Sequence, residues 1–406
     1  MRRSGKYSFH YYLIILFLGI AILAWLIWPS HPHLVQSETG IVPAAALRGT
    51  VPVRAYYVSP GGSDTGNGSA NAPWATIQHA AEAAQPGTIV HVAPGTYIEA
   101  IKTTSSGTSS GRITFRSDTR WGAKVVAPTS DSVWENRGNY VDIEGFDITG
   151  DARLGILNLG SFVRIMGNHV HDIPAQCDNN GGAGIDNGDY HASDNDVVGN
   201  LVHDIGSTLS VKCNTVHGIY HSNLRGHIMN NIVYRAWSCG IQLWHAPKDV
   251  VIANNLVFQN GGLGILIGAG DAPGGVTASG MLVVNNMILN NPASTWGSGH
   301  AILESGLTGT DNKYINNLIW SNKQGVVLQN GVNAVGTIQA DPKLENIQTD
   351  GNENYRVSPA SPAIIAGTLM GAPPIDFDGR IRPTSTHPDI GPYQTGAGQR
   401  VWPWTF

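Results

Sequence analysis

Charged side chains are scarce in this chain. Lys and Arg number 24 and Asp and Glu 29, together 13% of 406 residues, about half the ~25% of an ordinary soluble domain. Helices of a globular bundle need Glu, Lys and Arg to solvate their outer faces, so the shortage argues against a helical bundle. Positive charge is short too. The net charge is −5, and Arg2, Arg3 and Lys6 stand at the extreme N-terminus, so the chain lacks the basic footprint of a nucleic-acid binder. Cysteine is limited to 3 residues, enough for one disulfide and one leftover thiol in an exported chain. Apolar residues are not lacking: at 42% they supply a core and exclude general disorder. Glycine (50 residues) and asparagine are abundant, which points to short strands separated by many turns.

Residues 11–28 form an unbroken apolar run of 18 preceded by three positive charges. That is just long enough to cross a hydrocarbon core, with the charged flank kept in the cytoplasm. Residues 1–29 are therefore expected to be one transmembrane anchor, the alternative being a cleaved secretory signal. A linker over 30–53 follows, and the remainder is expected outside the cytoplasm, held at the cell membrane or secreted.

An internal repeat dominates the rest. Gly167-Asn168-His169-Val170-His171, Gly199-Asn200-Leu201-Val202-His203, Asn230-Asn231-Ile232-Val233-Tyr234, Asn254-Asn255-Leu256-Val257-Phe258, Asn285-Asn286-Met287-Ile288-Leu289 and Asn316-Asn317-Leu318-Ile319-Trp320 are one motif, spaced by 32, 31, 24, 31 and 31 residues. Each is followed by a second signal, such as Gly184-Ile185, Gly218-Ile219, Gly240-Ile241 and Gly264-Ile265. Asn tolerates the left-handed backbone of a tight corner, and stacked Asn side chains can hydrogen-bond along a ladder. Short Val, Ile and Leu strands between such corners describe a parallel β-helix, a solenoid in which each coil pairs with the next.

These residues, with Tyr57-Val58-Ser59-Pro60-Gly61, Pro73-Trp74-Ala75-Thr76-Ile77 and Asp376-Phe377-Asp378-Gly379-Arg380, carry a resemblance. Over roughly 55–394 the chain resembles the right-handed parallel β-helix proteins of the pectate-lyase-like superfold, notably their bacterial polysaccharide-lyase-related members. The resemblance implies an all-β solenoid domain over 54–394 and a short tail over 395–406. A capping helix is expected at about 73–84 with Asn71 as its cap, and the segment at about 341–394 is expected to wrap the last coil.

Candidate chemistry concentrates where coils depart from the minimum. Two consecutive coils lengthen at one corner, through 174–183 and 206–216. With the Ile of each Gly-Ile pair inward, the next residue faces outward, giving Asp186, Tyr220 and Gln242 and then Leu266, Leu303 and Val327. The richest motif is His217-Gly218-Ile219-Tyr220-His221. Cleaving a uronate polymer by β-elimination requires neutralising a carboxylate, removing the C5 proton and protonating the departing oxygen, work suited to His, Tyr, Lys and Arg. His217, Tyr220, His221 and Lys212 are the catalytic candidates, and Arg225, Gln242, Trp244 and His245 the substrate-binding ones. His221 also shares a column with Leu243 and Ile267, which reads as a buried core position. Asp186 and Asp189 are candidate Ca²⁺ ligands, as in many lyases of the resembling group. Cys177 and Cys213, in the two long loops, are candidate disulfide partners. His171-Asp172 and His203-Asp204 belong to a column continuing as Tyr234, Phe258, Leu289 and Trp320, which reads as a structural ladder. The glycine-rich stretch around Asp271 offers flexibility and little chemistry.

The function expected is a lyase cleaving an acidic polysaccharide. A non-catalytic glycan- or cell-wall-binding protein, a uronate C5-epimerase and a glycoside hydrolase are the alternatives.

Overall fold

The computed structural model describes residues 54–396, apart from 178–180, 211–212, 272–273, 295–296 and 349–352, together with Pro403. The expected anchor, its linker and Lys212 lie outside the described residues. Among those described, no helix is long and apolar enough to cross a membrane.

Why these residues coil is visible in the side-chain columns. Valines and isoleucines at equivalent positions stack coil upon coil in parallel register. One column is Ile165, Val197, Ile228, Ile252 and Val283. A second is Val170, Val202, Val233, Val257, Ile288 and Ile319. The third is Ile156, Ile185, Ile219, Ile241, Ile265 and Ile302. All are buried in one continuous core. Three parallel faces therefore enclose a parallel β-helix. The first face is an 11-stranded sheet that begins at Arg54–Val58 and ends at Ala334–Val335. The second includes His169–Ile173, Leu201–Ile205 and Ile232–Ala236, and the third includes Gly182–Asn187, Val216–His221, Cys239–Leu243 and Leu263–Ala269.

The corners between the first and second faces explain the Asn pairs. The first residue of each pair holds a left-handed backbone, with φ of 64° at Gly167, 63° at Gly199 and 54°, 55°, 55° and 50° at Asn230, Asn254, Asn285 and Asn316. The second points inward. Asn168 donates to Asn200 (3.1 Å), Asn200 to Asn231 (3.0 Å), Asn231 to Asn255 (3.0 Å), Asn255 to Asn286 (2.9 Å) and Asn286 to Asn317 (3.0 Å). Each amide also donates to a backbone carbonyl, as Asn255 does to Ile228 at 2.8 Å. Two shorter ladders repeat the device, Asn260 to Asn291 to Asn322 and Thr103, Asn136, Asn158, Asn187 and finally His221.

Both ends differ from expectation. The capping helix α1 is Ile77–Ala83, its N-cap is Thr76, and Ile77, Ala80 and Ala81 are buried. It starts later than expected because Trp74 bridges Val58 and exchanges backbone hydrogen bonds with Tyr57 and Ser59. The C-terminal segment does not simply wrap the last coil; it runs back along the outside of the second face. Asn316, Asn285, Asn254 and Asn230 donate to Ala366, Thr368, Asp389 and Ile375 carbonyls respectively. Phe377 and Ile390 pack with Tyr234, Phe258 and Leu289 in a second apolar cluster, and Arg120 donates to the Phe377 carbonyl.

Asn255→Ala would strand the Asn231 and Ile228 groups that Asn255 now satisfies. Each buried orphan costs ~1–3 kcal/mol, so a loss of at least about 3 kcal/mol is expected in urea unfolding. Asn322→Ala, at the half-buried end of its ladder, should cost distinctly less.

Candidate functional site

The two long loops leave the second face after Ile173 and Ile205 and reach the third face at Gly182 and Val216. A disulfide joins Cys177 to Cys213 with Cα atoms 5.6 Å apart. Beside them the outer surface of the third face forms a groove of about 1180 Å³. Its floor is the outward column Leu157, Asp186, Tyr220, Gln242, Leu266 and Leu303. Polar groups on three central coils are thus flanked by leucines on both sides.

His217 reaches the same groove because the chain kinks at Gly218. A Cβ at Gly218 would lie 2.3 Å from the core residue Val233, so Gly218 turns inward next to inward Ile219 and leaves His217 facing out. Its ring stacks near Tyr220, centroids 5.6 Å apart and planes at 18°. His217 is buried and its Nδ1 has no hydrogen-bond partner. Desolvation pushes the imidazole down to about 3, so it stays neutral. The Tyr220 hydroxyl makes no hydrogen bond among the described residues, and burial raises its pKa well above the usual phenol value.

Asp186 shifts in the opposite sense. The residue is half-buried, but its Oδ1 is sealed from solvent without a partner. Desolvation raises the carboxyl to about 7 against the pull of Arg153. Gly188 makes room for it, since a Cβ there would lie 2.8 Å from Asp186 Oδ1.

Three further residues complete the walls, and sequence reading missed them. Arg153 donates to Asp131 (2.8 and 2.9 Å) and to the Gly181 carbonyl (3.0 Å) at one margin. It lies before the first Asn corner, in a coil the repeat could not register. At another margin Tyr190 packs on His245 with centroids 4.5 Å apart, and His245 Nδ1 donates to Asp271 Oδ1 at 2.6 Å. Asp271 thus does more than the flexible-loop reading allowed. Trp244 lies on the backbone of Gly268, where a Cβ would come within 2.3 Å of its ring. Gln242 accepts from the Cys239 thiol at 3.1 Å, and burial pushes that thiol up to about 12.

Other sequence candidates fall elsewhere. His221 is fully buried inside the solenoid, paired with Asn187 at 3.1 Å as the last rung of the Thr103 ladder, so it is a core residue and not part of the groove. Arg225 lies beyond the next corner on the first face, paired with Asp194 at 2.8 and 2.7 Å. The chain turns at Ser222 and Asn223, which carries Arg225 away. Asp189 accepts the His191 N–H at 2.8 Å within its own turn and does not line the groove. One orphaned oxygen on Asp186 falls far short of the six to eight oxygens that Ca²⁺ takes, and the pair does not fit that ion.

The model of the Pel9A-like, right-handed β-helix region matches residues 56–330. The chain belongs to this family. The crystal structure of pectate lyase Pel9A superposes with a TM-score of 0.55 at 17% identity, covering 84% of this chain and 96% of that one. An alginate lyase from a Paenibacillus species gives 0.43 at 18% identity, covering 71% and 98%. At 17% identity, the likeness to pectate lyase Pel9A shows the fold alone. In sequence, the uncharacterized protein YwoF of Bacillus subtilis (strain 168) is 47% identical over 60 residues, 15% of this chain and 13% of that protein's length.

The disulfide closes a separation of 36 residues, for which chain entropy gives about 4 kcal/mol. Cys177→Ala, Cys213→Ala and the double variant should each lose a similar amount in denaturant unfolding. A double variant much weaker than either single one would contradict this.

Proposed function

We propose that this Pel9A-like chain cleaves a uronate-containing polysaccharide by β-elimination in the groove around Tyr220. What carries the reading is the neutral, unpartnered His217 imidazole stacked beside the free Tyr220 hydroxyl on the floor of an open groove. Family membership and a groove of polymer-binding size support a carbohydrate substrate.

The His217 imidazole would accept the C5 proton, and the Tyr220 hydroxyl protonate the departing glycosidic oxygen. Carboxyl recognition falls to protonated Asp186 and the Gln242 amide, with Arg153 adding positive charge at one margin. Trp244 and Tyr190 offer faces for sugar rings. Lys212, a catalytic candidate from the sequence, belongs to the same proposal. The disulfide supports an oxidising compartment, and hence a body held outside the cytoplasm by the N-terminal segment.

A second reading has one observation in its favour. Asp186, raised to about 7, has the acidity of a hydrolase general acid, and Asp271 also lines the groove.

Incubating the full-length protein with pectate, alginate and glycosaminoglycans separates the readings. Elimination produces an absorbing unsaturated uronate; hydrolysis produces new reducing ends without it; glycan binding with neither leaves a non-catalytic protein. For a lyase, His217→Ala and Tyr220→Phe should lose ~10²–10⁴-fold in rate, whereas Arg225→Ala on another face should lose little. Equal losses would refute the placement.

The pH dependence has a definite sign. A carboxyl raised to about 7 is protonated below that pH and ionised above it. Carboxyl recognition by Asp186 is therefore present at low pH and lost as pH rises through about 7. Asp186→Asn, neutral throughout and still a donor, should flatten that alkaline limb of the rate profile. A limb unchanged in Asp186→Asn would remove Asp186 from the mechanism.

A further inference from the structure

Away from the groove, on the outer side of the second face, three histidines converge. Their ligating nitrogens all lie within 4.8 Å of one another at His169, His171 and His203. Register explains the meeting: His169 stands beside Asp147 of the previous coil, and His171 is stacked directly on His203 of the next. The column expected to be purely structural does continue as Tyr234 and Phe258, but its first rungs bring together donors of metal-binding type.

The partners of the rings sharpen this. His203 Nδ1 donates to Asp204 Oδ2 at 2.6 Å, and Asp204 is itself held by Arg235. His171 Nδ1 donates to Asp172 Oδ2 at 2.7 Å. A carboxylate on Nδ1 is the support that metal-ligating histidines nearly always have; at His203 it leaves the Nε2 lone pair to face His169, whereas His171 donates from Nε2 as well, to Asp147. Those Nε2 atoms point into one small space. His169 Nε2 is 2.7 Å from His203 Nε2, and His171 Nε2 is 2.9 Å from Asp147 Oδ1. Lys124 approaches the same Asp147 oxygen at 3.9 Å.

We infer that His169, His171 and His203, with Asp147 as fourth donor, form a site for a divalent transition metal of the zinc type. Three imidazoles and one carboxylate suit tetrahedral Zn²⁺ or Co²⁺ and are a poor set for Ca²⁺ or Mg²⁺. On binding, the proton shared between His169 and His203 moves to His169 Nδ1, which faces Asp147 Oδ2 at 3.8 Å, the proton between His171 Nε2 and Asp147 Oδ1 is released to solvent, and the rings separate to ligand distance. The ion would tie three successive coils together. Two of those coils send out the groove loops immediately afterwards, at Pro174 and Gly206, so the ion braces the roots of the loops whose middles the disulfide joins.

The test uses untagged, metal-stripped full-length protein titrated with Co²⁺ and Zn²⁺. About one equivalent should bind, Co²⁺ should show the intense visible bands of four-coordination, and Zn²⁺ should raise the melting temperature as its concentration rises. His203→Phe keeps the ring that stacks 4.8 Å from Tyr234 and so preserves the ladder, yet it should weaken binding by more than ~100-fold, as should His171→Ala. Asp204→Asn should weaken it by about tenfold. Saturable binding unchanged in His203→Phe, a weak six-coordinate Co²⁺ spectrum, or no binding to the wild-type protein would each overturn the site and leave a hydrogen-bonded aromatic ladder.

Discussion

A side-chain amide buried in the corner of a solenoid is satisfied only by the coil above and the coil below it, and the rest of this structure depends on that constraint. Asn231 illustrates it: its Nδ2 donates to the Val197 carbonyl and to Asn255, and its Oδ1 accepts from Asn200. An isolated coil would leave those groups unpaired in an apolar interior at a cost of ~1–3 kcal/mol each. Stacking removes the penalty and fixes register, because a coil shifted by one residue would point its amide outward. The left-handed residue before each Asn allows the chain to turn there. Where that residue is also Asn, its outward amide holds the returning C-terminal segment.

Register fixed from inside leaves the outside free. Tyr220 and His221 are neighbours in sequence with opposite fates. His221 ends an amide ladder in the core, whereas Tyr220 stands on the groove floor between Asp186 and Gln242. Desolvation then acts on the outward groups in one direction, toward neutrality: His217 loses its proton, and Asp186 keeps its own below about pH 7. For a chain of net charge −5, a groove floor that is uncharged below that pH is significant. Ionised Asp186 would repel a polyanion, while protonated Asp186 offers it a donor.

Much of the fold was legible because its determinants are local and repeated. The Asn corners, the Gly-Ile signals and the minimal 24-residue coil are all spacings in one dimension, and the parallel register follows from them. The outward column Asp186, Tyr220 and Gln242 was legible for the same reason, since alternation along a strand needs only a phase. What failed lay outside the period. Arg153 precedes the first Asn corner, so no register reached it. Arg225 was misplaced because the turn at Ser222 and Asn223 carries no glycine to announce it. The converging histidines were read as a ladder since spacing along the chain does not say which way two stacked rings lean, and that depends on Asp172 and Asp204 holding Nδ1.

These differences bear on how far likeness within the family extends. The inward columns and amide ladders are what a shared β-helix requires, and they are what a TM-score of 0.55 at 17% identity compares. The groove residues answer to none of those demands. Replacing Tyr220 or Gln242 would leave every ladder bond intact, because neither side chain enters the core. Reaction chemistry can therefore diverge on this scaffold at little structural cost, and the fold alone does not name the reaction. The loops are the exception: they leave a stack whose strands are set by the ladders, yet they must hold walls beside a fixed floor. A covalent tie between Cys177 and Cys213 at their middles and the carboxylate-held histidines at their roots lie where the amide ladders do not reach.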